Sequence, residues 1–383
     1  MISSAEFAAY NRAVARIGDK AASDVESSVL AWCRSNGSAT VAEKREAAKL
    51  IMDGYIQGYD DIAAEFAAEW YDHRAQKSAV ALDQAITMTT YKPESVDEVA
   101  RYQAKKLAKE GDAAFARACG EFARNDAFRS LNETIIANVG RDRDKGARFA
   151  RVPAGAETCT FCLMLASRGA VYHSRKTAGE FKHFHRNCDC KVVPSFEGDP
   201  DAELVQGVKP RELYERYKRF KQIDSTEDLS ASNKKELKER ALRVEFGSIA
   251  GKKLGSVKYV KSRDSLEEHE KAGIDYLLLN GFDIETIDED PHAPANLDIS
   301  MNGELWEMKN LTNCASSVSN QVKRARIKWF KLGLSSPSRC VFTNEGNEDG
   351  FDETCVALEK RRRPGEVFIV VPSSGAVRIL NDK

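Results

Sequence analysis

The sequence predicts a multidomain protein: a mainly α N-terminal half with a small Cys/His-rich α+β module, then a C-terminal α/β domain. Three observations carry that reading. The 383 residues exceed what one compact core usually organises. From Ser3 to about Asn138 the chain is rich in Ala, Glu, Lys and Arg, holds one proline (Pro93) and keeps long helical periodicity. Beyond Ser265 a helical stretch, a hairpin stretch and a second helical stretch alternate. The expected divisions are residues 1–150, 151–197, 198–260 and 261–383.

Composition narrows the function classes. With 58 basic and 59 acidic residues the net charge is −1, so affinity for nucleic acid must come from local patches. No stretch approaches the roughly twenty apolar residues of a membrane span. Met1-Ile2-Ser3-Ser4-Ala5-Glu6 lacks the basic and apolar regions of a signal peptide. The expectation is a chain with no signal peptide, made and kept in a cytoplasm or carried out by a route that needs no such signal. Of nine cysteines, Cys33, Cys119, Cys314, Cys340 and Cys355 stand singly, as buried reduced thiols do.

In the N-terminal region breaks are expected near Gly18, Asn36-Gly37, Gly58, Lys92-Pro93 and Gly111, giving five or six helices. Ser95 and Glu98 have the spacing of a capping box. Trp32, Tyr55, Phe66 and Trp70 are expected in the core. Arg141, Arg143, Lys145, Arg148 and Arg151 form a basic run that reads first as a solvated surface and second as a contact for DNA or an acidic partner.

Between Val152 and Phe196 the texture changes. Cys159 and Cys162 have the two-residue gap of a zinc knuckle, and His185, Cys188 and Cys190 could supply the other half. Four thiolates, or three with an imidazole, would close a structural zinc site; a redox pair or four metal-free thiols are the alternatives. The motif Cys-x-x-Cys-x-x-Leu, then Arg-Gly-x-Val-Tyr, then His-x-x-Cys-x-Cys-x-x-x-Pro resembles the phage Mu head-morphogenesis (MuF-like) minor capsid domain of actinobacteriophages. The resemblance covers about residues 1 to 200. It implies a minor protein of the phage head, with portal and capsid proteins as partners and the virion as its location. Some relatives in that family are capsid maturation proteases, but no Ser, His and Asp arrangement for such chemistry stands out here.

The connector should hold helices over Arg211 to Ile223 and Asn233 to about Phe246, then a flexible joint from Gly247 to Gly255. Gly251-Lys252-Lys253 lacks the glycine spacing of a phosphate loop.

The C-terminal domain carries the chemistry. Leu297 and Ile299 alternate with Asp298 and Ser300, Asn302-Gly303 is the dipeptide of a tight primed turn, and the returning strand puts Glu307 and Lys309 on one face. Asp298 can converge with Glu307 if the register allows it. Two carboxylates and an ammonium at a strand end suit Mg2+ (or Mn2+), a hard cation whose water could attack a phosphodiester. A charged outer face is the plainer alternative.

A helix is expected over Ser265 to Gly281, with Ser265 and Glu268 as its capping box and Glu270 in the apolar stripe. A second helix from Ser316 to Leu332 presents Gln321, Lys323, Arg324, Arg326, Lys328 and Lys331, of which Gln321, Lys323, Arg324 and Lys328 are candidate nucleic-acid contacts. Helix with Glu, strand with Asp, then Glu-x-Lys, then a helix beginning near Gln resembles the PD-(D/E)XK nuclease core. Residues from about 265 to 380 look like the nuclease toxin domains of contact-dependent inhibition proteins, the CdiA C-terminal family. That resemblance implies catalytic roles for Glu270, Asp298, Glu307 and Lys309, Mg2+ on Asp298 and Glu307, tRNA or DNA as substrate, and a cognate immunity protein as a possible partner. The alternative is a structural head protein whose tail binds nucleic acid without cleaving it.

Overall fold

The computed structural model describes residues 1–383 except 155–157, 179–189, 245–248, 261, 312–313, 335–337, 345–349, 373, 376 and 383. The chain divides into two compact units, Met1–Tyr214 and Glu215–Lys383. Among the described residues, no helix is long and apolar enough to cross a membrane.

The first unit is built on long helices: α1 (Ser4–Ser35), α2 (Val41–Lys77), the short α3 (Pro93–Gln103) and α4 (Leu107–Arg141). Ser3 caps α1 by accepting the Glu6 amide, and Thr40 with Glu43 closes a capping box on α2. The breaks at Asn36, Pro93 and Gly111 are present, the last as a kink where Gly111 takes φ 78° inside α4. Gly18 and Gly58 break nothing, and α1 and α2 run straight through them. At Gly18 the cause is packing, since a Cβ there would sit 2.6 Å from the Phe128 ring of α4. Tyr55, expected in the core, is exposed, with its hydroxyl bonded to Ser28.

Between α2 and α4 the chain runs extended along α4. Asn138 exchanges two hydrogen bonds with the Ile86 backbone, Thr134 two with Met88, and Ser130 receives the Thr90 amide at 2.8 Å. Every fourth residue of the helix thus meets every second residue of the extended segment, because four residues of helix rise about as far as two of strand.

Of the basic run, Arg141, Arg143 and Lys145 are exposed, as a solvated surface should be. Arg141 binds Asp142 and the carbonyls of Asp83 and Gln84, and Arg151 is buried. Beyond it, β1 (Arg148–Val152) pairs antiparallel with β2 (Lys191–Ser195), and α5 (Thr160–Ala166) lies between them in sequence.

The second unit opens on α6 (Pro210–Ser225) and α7 (Ala231–Arg243). The division between the units falls within α6. Of the expected joint, residues 247–248 lie outside the described residues. The rest is held: Ile249 is buried, and a Cβ on Gly255 would sit 1.9 Å from the Phe282 carbonyl oxygen.

A seven-stranded mixed sheet follows, in order β3 (Val257–Lys258), β4 (Ile284–Thr286), β5 (Ile299–Met301), β6 (Glu304–Asn310), β7 (Arg339–Asn344), β8 (Val367–Pro372) and β9 (Arg378–Leu380). β6, β7 and β8 are mutually parallel, whereas β4, β5 and β6 form an antiparallel meander. α8 (Glu268–Leu279) covers one face: a Cβ on Gly273 would meet Met308 of β6 and Thr343 of β7. α9 (Cys314–Lys331) and α10 (Phe351–Glu359) cover the other, where Val318, Val322, Cys355 and Leu358 share a core with Cys340, Phe342 and Phe368. Helices on both faces of a sheet with a parallel centre make this an α/β unit.

Candidate active site

The β5–β6 hairpin sets the site. Asn302 and Gly303 take φ 53° and 79°, the primed turn whose twist suits a two-residue connection. Ile299 therefore faces Trp306 and Met301 faces Glu304. One step further out, Asp298 lies opposite Glu307, joined by the Asp298 amide bonding to the Trp306 carbonyl at 3.1 Å. Period two then turns Glu307 and Lys309 to the α9 side, beside Cys340, while Met308 goes to the α8 side.

Glu307 is fully buried and Asp298 is 20% exposed at its side chain. Asp298 Oδ2 accepts the Met308 amide at 2.6 Å, which fixes one of its oxygens. Glu307 Oε1 pairs with Lys309 and, at 2.6 Å, with Lys328 of α9; Lys328 Nζ also stands 3.7 Å from Asp298 Oδ1. Two carboxylates thus meet two ammonium groups. Glu307 Oε2 is buried with no hydrogen-bond partner among the described residues. Burial pushes the Glu307 carboxyl up to about 7, the Asp298 charge adds to that, and Lys309 and Lys328 oppose it. Burial pulls the Lys328 ammonium down, but its bond to Glu307 and the Asp298 charge outweigh this and hold it above the ordinary lysine value.

Asp298, Glu307 and Lys309 are brought together, and Lys328 joins them from inside rather than projecting as a surface contact. Glu270 is bound to the start of its own helix. α8 begins at Glu268, with Glu267 as N-cap, instead of at Ser265, which sits in a short 3-10 turn. Glu270 is thereby the third helical residue, half-buried, and its Oε2 accepts the Glu267 amide at 2.8 Å. The expected place in the apolar stripe is corrected by that three-residue shift. Gln321 donates to the Asn310 carbonyl at 3.1 Å, and Lys323 and Arg324 are exposed on α9. Sequence reasoning missed Cys340, which lies beside Glu307 on the same face; the seven-residue spacing of Gln321 and Lys328 was the available sign that both turn inward.

In the first unit, Cys159 caps α5, and its sulfur accepts the Cys162 amide at 3.3 Å. Cys162 Sγ lies 3.9 Å from Arg151, and Cys190 is buried just before β2. His185 and Cys188 lie outside the described residues. Among the described residues, no three His, Cys, Asp or Glu side chains are grouped to hold a metal ion.

A family model described as VG15 protein matches residues 1–220, more than half of the chain. The chain belongs to the VG15 protein family. Over an alignment 122 residues long the chain is 30% identical to the Gene 15 protein of Mycobacterium phage L5, with 22% of this chain and 40% of that relative covered. The chain thus spans well under half the length of this curated relative. No solved structure matches. The VG15 match covers the helical unit and ends before the α/β sheet.

Proposed function

We propose that this VG15 protein is a minor head protein of a phage, seated in the virion beside portal and capsid proteins through its MuF-like helical unit, with a metal-dependent nuclease of PD-(D/E)XK type as its C-terminal unit. The observation that carries the second half is the register: the hairpin sets Asp298 opposite Glu307 with Lys309 on the same face. The family match over residues 1–220 and the similarity of part of the chain to a phage protein support the first half.

The donor set fits a hard divalent cation. Asp298 and Glu307 offer only oxygen, and Glu307 keeps one buried oxygen without a partner. They would hold Mg2+ or Mn2+, which when bound supplies an activated water and screens phosphate charge. Lys309 contributes an ammonium group fixed on Glu307, placed to stabilise the charge that develops on a phosphodiester during cleavage. Lys328 holds the two carboxylates together, and the exposed Lys323 and Arg324 offer phosphate contacts outside.

A second reading is a structural head protein whose tail binds nucleic acid without cutting it. It is favoured by Lys328, which already neutralises the pair, and by the VG15 match, which is confined to residues 1–220. Incubating the full chain with tRNA and with plasmid DNA, with and without Mg2+, separates the two. Mg2+-dependent fragments of either substrate support the nuclease; binding without cleavage at every Mg2+ concentration supports the structural protein.

A further inference from the structure

Away from this site, the second unit holds a cavity of about 150 Å³ between α6 and the segment 249–253. Arg219 of α6 forms its inner wall and is 4% exposed. Its Nη2 donates to the carbonyls of Ile249 at 3.2 Å and Lys252 at 2.6 Å, and its Nη1 is buried with no hydrogen-bond partner among the described residues. No carboxylate pairs with it among those residues. Lys252 and Lys253 stand on the facing wall, and Lys252 Nζ donates to Asn280, a neutral acceptor, at 2.6 Å. Glu215, the acidic residue of the wall, is paired with Lys218 at 2.7 Å.

A guanidinium taken out of water normally keeps a carboxylate partner, because carbonyl oxygens return only part of its lost hydration. Here a buried cation faces further cations, and one of its donor groups points at no acceptor. Such a group calls for an acceptor that the described residues do not supply. Burial, and then the charge of Arg219, lower the Lys252 ammonium below the ordinary lysine value, the direction in which an anion between the two would act in reverse.

We propose that this cavity is a binding site for a phosphate-type oxyanion, held by Arg219 Nη1 with Lys252 and Lys253 closing the mouth. A guanidinium fork beside ammonium groups matches tetrahedral oxygens, and the volume takes one phosphate group rather than a whole nucleotide. The phosphate is either a free ion or the terminal phosphate of a nucleic-acid strand. The site stands independently of the nuclease reading.

The test is the melting midpoint of the full chain titrated with inorganic phosphate, with sodium chloride at matched ionic strength, and with a short single-stranded oligonucleotide carrying or lacking a 5′-phosphate. The parent should gain stability saturably with phosphate and not with chloride. The double variant Lys252→Gln/Lys253→Gln, altered at exposed positions, should need at least tenfold more phosphate for the same shift, and Arg219→Gln should lose the shift whatever its starting midpoint. A response to the 5′-phosphorylated strand alone assigns the site to nucleic-acid ends; a response to inorganic phosphate alone assigns it to the free ion. Equal shifts in the parent and the double-lysine variant, or no shift beyond that of chloride with either inorganic phosphate or the 5′-phosphorylated strand, would overturn the proposal. Asp298→Ala should leave all of these shifts unchanged.

Discussion

Asp60 and Asp126 show how a single buried residue sets the behaviour of the helical unit. Both are nearly inaccessible, Asp60 accepts the Ser130 hydroxyl at 2.7 Å, and Asp126 is paired with Arg129. Burial, with the Asp126 charge second, pushes Asp60 up to about 7, and burial raises Asp126 as well. The folded state therefore holds a proton that the unfolded chain releases near pH 4. Stability from this pair is full below about pH 4 and is lost as pH rises towards 7. Asp60→Asn should flatten the fall in urea midpoint between pH 5 and pH 8, by on the order of 1 kcal/mol or more at the upper end. A parent whose stability rises over that interval, with the variant parallel to it, would contradict the shared proton. At the same scale, Asp298, Glu307 and Lys309 were legible in the sequence because the Asn302-Gly303 turn leaves one register. Lys328 was read as a nucleic-acid contact rather than as a partner of the two carboxylates, since a lysine turned inward looks the same in a basic run as one turned outward.

At the scale of elements, packing decided what propensity could not. Gly18 and Gly58 read as breaks, yet α1 and α2 continue because long amphipathic helices tolerate one glycine when tertiary contacts hold them. The start of α8 moved because Glu267 with Glu270 caps it in place of Ser265 with Glu268, which took Glu270 out of the stripe. The ladder from Ser130, Thr134 and Asn138 to residues 86–90 had no local signal: each rung joins residues forty or more apart. Asn138 is fully buried, so Asn138→Ala would leave the Ile86 amide and carbonyl without their partner. It should cost about 1–3 kcal/mol in denaturant unfolding and speed hydrogen exchange at residues 86–90. Unchanged exchange there would show that the ladder does not hold the segment. The cysteine and histidine module was legible as a motif, but His185 and Cys188 lie outside the described residues.

At the scale of the molecule, each unit has its own core and its own tight contact. A Cβ on Gly120 of α4 would sit 2.5 Å from the Ala22 carbonyl oxygen of α1, and one on Gly273 of α8 would sit 2.5 Å from Met308. Calorimetry of the full chain should show two transitions. Gly120→Ala should lower one and Gly273→Ala the other, each by overpacking worth about 1–3 kcal/mol. A single transition shifted alike by both would mean that the units unfold as one.

The α/β class of the second unit was legible from its alternation of helix and hairpin. The full strand order was not, because β3, β8 and β9 carry no motif of their own. The central claim is that Asp298, Glu307 and Lys309 cleave phosphodiesters. It is tested most directly by comparing the full chain with its Asp298→Ala/Glu307→Ala/Lys309→Ala variant on tRNA and plasmid DNA at equal Mg2+, with folding checked by circular dichroism. The account requires cleavage by the parent and a loss of at least a thousandfold in the folded variant. A folded variant that cuts as fast as the parent would contradict it.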